Sequence, residues 1–261
     1  QQEKVRTVLI TGATSGIGYE LSKLFAKNGY NLVLVARNKQ RLGELVQQLS
    51  QEFSVRTESI SKDLSEVISP AEIFAELQEK SIHIDILVNN AGFNEYGVFF
   101  NTDIQRELQM IQVNLVSLTY LTKLLLPGML KQKYGKILNV ASTGSFVPGP
   151  YNAVYCATKA YVLSFSEAIA EELKDTNVTV TALCPGATKT QFAQRAKMEH
   201  TKLFSGKVMD AEKVAEVGFD ALMRGKASVI AGCANRLTVF FLRFMPRNIV
   251  AKMAKNIMSL K

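Results

Sequence analysis

The chain has 261 residues, 47% hydrophobic and 21% charged, enough for a core that needs no disulfide or metal staple. Three scattered cysteines (Cys156, Cys184, Cys233) exclude a disulfide framework or zinc knuckle and fit a reducing compartment, and the two histidines, His83 and His200, leave little for a metal site or a Ser-His-Asp triad. The net charge of +8 sits at one end: the stretch from Ala221 onward carries eight basic residues and no acid, and the other 23 basic residues balance the 23 acidic ones.

The N-terminal stretch QQEKVRTVLITG has no apolar signal-peptide core, and no run reaches the ~18 apolar residues of a membrane span, so a cytoplasmic protein is expected. VRTVLI reads as a first strand and ends at the turn TGATSGIG. A helical pattern follows, YELSKLFAKNG, closed by Gly29. NLVLVAR is a second buried strand, and a helix is expected from about Lys39 to Glu52. SVRTESI, IDILVNN, GKILNVAS, NVTVTALCPG and ASVIAG repeat the theme with helix-length segments between. This alternation predicts an α/β fold: one doubly wound, mostly parallel sheet with helices on both faces.

Such a sheet puts its ligand crevice at the carboxyl ends of the strands, and each end carries a residue that stands out. Gly12, Gly16 and Gly18 follow strand one, Arg37 ends strand two and Asp63 follows strand three. Asn89 to Gly92 end strand four, Ser142 follows strand five, and Pro185 and Gly186 end strand six. The glycine turn is not spaced G-x-G-x-x-G, but it has the same physics: a tight turn, close backbone approach and a helix N-terminus aimed at phosphate. Thr14 and Ser15 add hydroxyl donors for a pyrophosphate, although a glycine-rich turn is also compatible with a structural role. Strand two ends without an acid, and Arg37 with Arg41 one turn on suits a 2′-phosphate, so NADP(H) is expected before NAD(H). Arg37 as a solvated helix-start residue is the alternative. Asp63 either accepts from an adenine amino group or caps a helix starting near Ser65.

The stretch YNAVYCATKAY places Tyr155 and Lys159 four apart, on one helix face. An ammonium beside a phenol favours the phenolate, and a phenol so tuned can exchange a proton at a carbonyl or alcohol oxygen. The motif alone is weak, since Tyr19 and Lys23 repeat it without a strand-end Ser or Asn nearby. Tyr151 is left to a pocket wall, Tyr161 to packing, and Cys156 points off the Tyr155 face.

With these residues in order, the chain resembles the short-chain dehydrogenase/reductase family over roughly Val5 to Gly232. The resemblance rests on TGATSGIG, Asp63, NNAG (Asn89 to Gly92), Asn114, Ser142, Tyr155-x-x-x-Lys159 and PGATKT (Pro185 to Thr190). It implies a single Rossmann domain with a seven-stranded sheet over residues 1–232, a substrate lid at about 190–210, and an NADP(H)-dependent oxidoreductase interconverting a ketone and a secondary alcohol. By the resemblance, Tyr155 is the general acid/base, Lys159 lowers its pKa and binds the nicotinamide ribose, and Ser142 polarises the substrate oxygen. Asn114 holds a relay water. Gly12, Thr14, Ser15, Gly16, Ile17, Gly18, Arg37, Arg41, Asp63, Leu64, Asn90, Ala91 and Gly92 form the adenosine and phosphate side of the cofactor site. Pro185, Gly186 and Thr188 meet the carboxamide and Thr190 reaches the phosphates, while Asn89 braces the sheet. No metal is implied, and a homodimer or homotetramer is, through the helices after strands four and five.

The lid residues Phe192, Met198, Leu203 and Phe204 either wall a pocket for a lipophilic substrate, with Phe93, Tyr96, Val147 and Tyr151 beyond them, or only pack the lid on the domain. Its bases Arg195, Lys197, Lys202 and Lys207 either greet an acidic carrier or CoA thioester or are solvated. Residues 233–261 form a basic, apolar helical extension split at Pro246, not an independent domain. It either packs over the pocket or a second subunit, or contacts a membrane peripherally; nucleic acid is not expected. A cofactor-binding regulatory or scaffold protein docking through this tail is the rival to the enzyme.

Overall fold

Unbroken Val, Ile and Leu runs form strands that are covered on both faces. In the computed structural model, which describes residues 5–206 and 208–260, β1 (Thr7–Thr11) leads into α1 (Gly16–Lys27), and β2 (Asn31–Ala36) into α2 (Lys39–Phe53). β3 (Thr57–Ser61), α3 (Ser69–Glu79) and β4 (Ile86–Asn89) follow, then α4 (Ile104–Ile111), α5 (Leu118–Lys131), β5 (Gly135–Val140), α6 (Ala153–Glu172) and β6 (Val178–Cys184). Lys207 of the lid and Lys261 of the tail lie outside the described residues.

The sheet order is β3-β2-β1-β4-β5-β6-β9, where β9 is Ser228–Ile230. Every pairing is parallel. The chain reverses direction across the sheet between β1 and β4, so a crevice opens at their carboxyl ends. Successive strand residues face opposite sides. Val8, Ile10, Leu32 and Leu34 pack under α1, α2 and α8 (Ala211–Met223), whereas Leu9, Val33, Val35 and Leu87 pack under α3 and α5. Phe25 is fully buried, edge-on to Tyr30 and Phe219 at 5.3 and 5.0 Å. Burying such a ring contributes about 1.5–3 kcal/mol.

Three features differ from the sequence reading. The helix after Asp63 starts at Ser69, because Asp63 first holds a turn by accepting from the backbone N–H of Ser65 at 2.9 Å and its hydroxyl at 2.8 Å. Next, α4 and α5 are one continuous helix, Ile104–Lys131, joined through a π-helical turn at Gln112–Ser117. By length and composition this is, among the described residues, one helix able to cross a membrane. Yet Leu118, Leu121, Leu125 and Met129 are buried in the fold. Finally, the segment expected to form a lid is bracketed by a small parallel pair, β7 (Thr188–Lys189) with β8 (Met209–Asp210), and begins with α7 (Gln191–Arg195).

Past β9, α9 (Cys233–Leu242) and α10 (Arg247–Met258) flank Pro246. Val250, Ala254 and Met258, one turn apart, form the buried stripe of α10. The Tyr96 hydroxyl donates to Met258 O at 2.7 Å, and the Lys202 amide to Ser259 O at 3.1 Å. The tail is thus tied to the segment after β7 and to the loop after β4.

Candidate active site

A cleft of about 850 Å³ runs along the carboxyl ends of the strands. At one end is the glycine turn. Gly12 (φ +66°) and Gly16 (φ +57°) take left-handed backbone, which side chains rarely adopt. Gly18 is required for space, since a Cβ there would overlap the Asn90 amide and the Gly12 carbonyl. Asn90 braces the turn, donating through Nδ2 to Thr11 O at 2.9 Å and Gly12 O at 3.2 Å. Thr11, which the sequence reading passed over, accepts at Oγ1 from the amides of Asn90 and Ala91, both at 3.0 Å. Ser15 precedes α1 without a side-chain capping bond, so the first amides of α1 stay available beside the cleft. A pyrophosphate fits this cradle: close-approach glycines, free amides and a helix N-terminus.

Beyond the turn, Arg37, Arg41 and Lys62 line the far end of the cleft. The Arg37 guanidinium lies 3.7 Å from the Asp63 carboxylate, with both groups well exposed, so the pair is weak and the arginine is open to another anion.

At the other end, Ser142 leaves β5 in extended backbone, and its Oγ accepts from the Gly144 amide at 3.0 Å. A Cβ on Gly144 would lie 3.3 Å from Ser142 Oγ and 3.8 Å from the Tyr155 ring, so these groups converge over a bare glycine. Tyr155 packs on Phe192 with centroids 5.6 Å apart. Lys159 is buried and donates to Val140 O at 2.7 Å, with its ammonium 5.8 Å from the Tyr155 ring centroid. Burial pushes the Tyr155 phenol up, and Ser142 offsets this only in part. Burial also pulls Lys159 down to about 8. The causes of the two shifts do not include a pairing of Tyr155 with Lys159: desolvation, the largest cause for each, disfavours both charged forms. Cys156 is buried against Gly144 and Gly149, and burial pushes its thiol up to about 12, which leaves it unreactive.

Asn114 sits in the π-helical turn, a backbone irregularity common at functional sites. Its Oδ1 accepts from the Phe93 amide at 3.1 Å, and its Nδ2 donates to Phe93 O at 3.0 Å and Thr158 Oγ1 at 3.2 Å. Thr158 in turn donates to Tyr155 O at 2.7 Å. A Cβ on Gly92 would lie 3.0 Å from Asn114 Oδ1 and 3.5 Å from Lys159 Nζ, so all three meet at one point. Asn89 donates to Thr122 Oγ1 and Asn139 Oδ1, as a sheet brace should.

The cleft is lined by every predicted catalytic and cofactor residue except Gly18 and Asn114, which lie behind its wall. Phe93, Val147, Phe192, Met198, Leu203 and Phe204 also line it. Tyr96 and Tyr151 do not: Tyr151 adopts φ +66°, and the two rings pack on each other at 6.0 Å. Tyr19 accepts from Gln48 and Lys23 pairs with Glu20, so that motif copy is structural. Tyr161 stacks on Phe165 at 5.5 Å. Sequence reading missed Arg106, which lines the cleft, and Asn235 of α9, which packs where a side chain on Gly186 would be. No motif marks either one. The tail supplies Leu242, Val250, Met253, Ala254, Ile257 and Met258 to the cleft, which places it over the pocket.

Residues 6–201 match the family model described as short chain dehydrogenase. Over 190 residues the chain is 34% identical to the very-long-chain 3-oxoacyl-CoA reductase of Bos taurus, covering 71% of this chain and 60% of that protein. A short-chain dehydrogenase from Sphingobium yanoikuyae, solved in complex with NADPH, superposes with TM-score 0.83 at 33% identity, covering 91% of this chain and 92% of that one. The bulky-bulky ketone specific alcohol dehydrogenase of Comamonas testosteroni superposes with TM-score 0.79 at 29% identity, covering 93% of each chain.

Proposed function

The chain belongs to the short-chain dehydrogenase family, and on that premise we propose that it is an NADP(H)-dependent oxidoreductase interconverting a lipophilic ketone and a secondary alcohol. The observation that carries the reading is the convergence of Ser142, Tyr155 and Lys159 on one wall of a cleft that holds a phosphate cradle at its other end. Arg37 and Arg41 at the ribose end favour a 2′-phosphate, as does the NADPH held by the Sphingobium relative.

Bound, the nicotinamide supplies or accepts the hydride. The chain's own residues manage the proton and the geometry. Burial keeps the Tyr155 phenol protonated at neutral pH, the form that gives a proton to a carbonyl oxygen as it becomes alkoxide. Ser142 Oγ–H donates to the same oxygen and holds it against the phenol. Lys159, held by Val140 O, keeps its remaining N–H donors for the ribose, and Asn114 and Thr158 fix the turn of α6 that carries both groups. Phe192, Met198, Leu203, Phe204 and the tail side chains exclude water and suit an apolar substrate, consistent with the bulky-ketone and long-chain acyl specificities named for the relatives. Exposed Leu108, Tyr120 and Leu130 on α4 and α5, with Tyr161 on α6, support pairing of subunits through those helices.

The test is loss of NADPH absorbance with purified protein over bulky ketones, 3-oxoacyl thioesters and quinones, with NADH as control. Turnover of an apolar ketone with NADPH preferred is the expected result. Failure to bind either nicotinamide in titration would overturn the reading. Binding without turnover on the whole panel would favour the regulatory alternative, which no structural feature singles out.

A further inference from the structure

The helix α9 is apolar on two sides. Val239 and Leu242 face the cleft. Leu237, Phe240 and Phe241 fall at i, i+3 and i+4, a second stripe on the helix; Phe244 follows in the turn after it, and every one is more than half exposed. Their rings cluster, Phe240 lying 5.6 Å from Phe241 and 5.4 Å from Phe244. Arg236, Arg243 and Arg247, all exposed, flank these residues along the chain. From Ala221 onward there are eight basic residues and no acid. On α10, Met253 and Ile257 are each 44% exposed and also line the cleft, so they form its rim.

A surface with this composition has few suitable occupants. A second copy meeting it by two-fold symmetry would bring basic residue against basic residue with no acid in the segment to compensate. An acidic protein would satisfy the arginines but not four large exposed apolar side chains in a row. At ten residues α9 is roughly 15 Å long by helical rise, too short to span a bilayer, so contact must be along its side. A surface that is apolar below and anionic at the level of the arginines answers every feature.

We propose that the outer stripe of α9 and the turn that follows it seat on an anionic lipid surface, with Leu237, Phe240, Phe241 and Phe244 in the headgroup–acyl boundary and Arg236, Arg243 and Arg247 on lipid phosphates. The rim formed by Met253 and Ile257 then opens beside the lipid, so an apolar substrate can pass between bilayer and cleft without crossing water.

The test is co-sedimentation of the full chain with phosphatidylcholine vesicles, with and without phosphatidylserine, at low and high salt. It involves no turnover and is independent of the proposed activity. The protein should sediment with phosphatidylserine vesicles and be released by salt. Joint Phe240→Ser and Phe244→Ser substitution should weaken binding by roughly tenfold or more. Both rings are exposed and outside the cleft, so an unchanged melting curve and NADPH titration should accompany that loss. No sedimentation, or equal binding of wild type and double variant, overturns the proposal. So does a wild-type dimer that the double substitution dissociates without vesicles, since a second copy would then be the occupant.

Discussion

Lys159 donates to the main-chain carbonyl of Val140 at 2.7 Å, which ties the middle of α6 to the end of β5. The bond holds a buried ammonium in place but does not restore its lost hydration, so Lys159 titrates near 8 against an ordinary 10.5. A lysine lowered in this way contributes stability that is fully present above 10.5 and is lost as pH falls through about 8. Wild type should therefore gain stability relative to Lys159→Met as pH rises from about 7 to about 10. Urea midpoints of the two proteins across that range measure it. A constant difference would show that Lys159 is not desolvated.

Tyr155→Phe keeps the ring against Phe192 and removes only the hydroxyl. Turnover should fall by roughly 10²–10⁴-fold while NADPH binding and thermal stability stay near wild type. Steady-state kinetics with parallel cofactor titration separate the two effects. A variant with most of its activity would move the proton donor elsewhere.

Gly18→Ala sets a methyl on the Asn90 amide and the Gly12 carbonyl, both held by the turn itself. The expected cost is about 1–3 kcal/mol of stability together with a clear loss of NADPH affinity. Denaturation and fluorescence titration report both. A wild-type midpoint and affinity would mean that the turn relaxes freely.

Arg37→Ala removes one of the cations at the end of the cleft where a 2′-phosphate is expected. Loss of a charged hydrogen bond of about 1.5–3 kcal/mol corresponds to roughly 10–100-fold weaker NADPH binding, with NADH unchanged. Equal effects on both cofactors would deny Arg37 a part in discriminating between them.

Local pattern alone settled much of this molecule. Continuous apolar runs separated by helix-length segments required buried parallel strands. The residues at strand ends mark the cleft along the chain, because a parallel sheet has one ligand end. Strand-end companions single out Tyr155 over Tyr19, and the helical spacing turns Cys156 off the Tyr155 face. The start of α3 lies beyond the expected Ser65 because Asp63 bonds forward to Ser65, a local competitor of the helix that composition does not reveal.

Contacts between distant segments decided the rest. Tyr96 reaches Met258 across 162 residues of sequence, and that bond ties the tail beside the cleft it helps to line. Tyr151 leaves the wall because its backbone turns left-handed to meet Tyr96. The direction of the Tyr155 and Lys159 shifts also depends on the fold: spacing brings a phenol and an ammonium together, whereas burial sets which charges survive. Periodicity and turn chemistry act over a few residues and can be read along the chain; desolvation and shared walls depend on everything packed around a group, and only the folded chain supplies that.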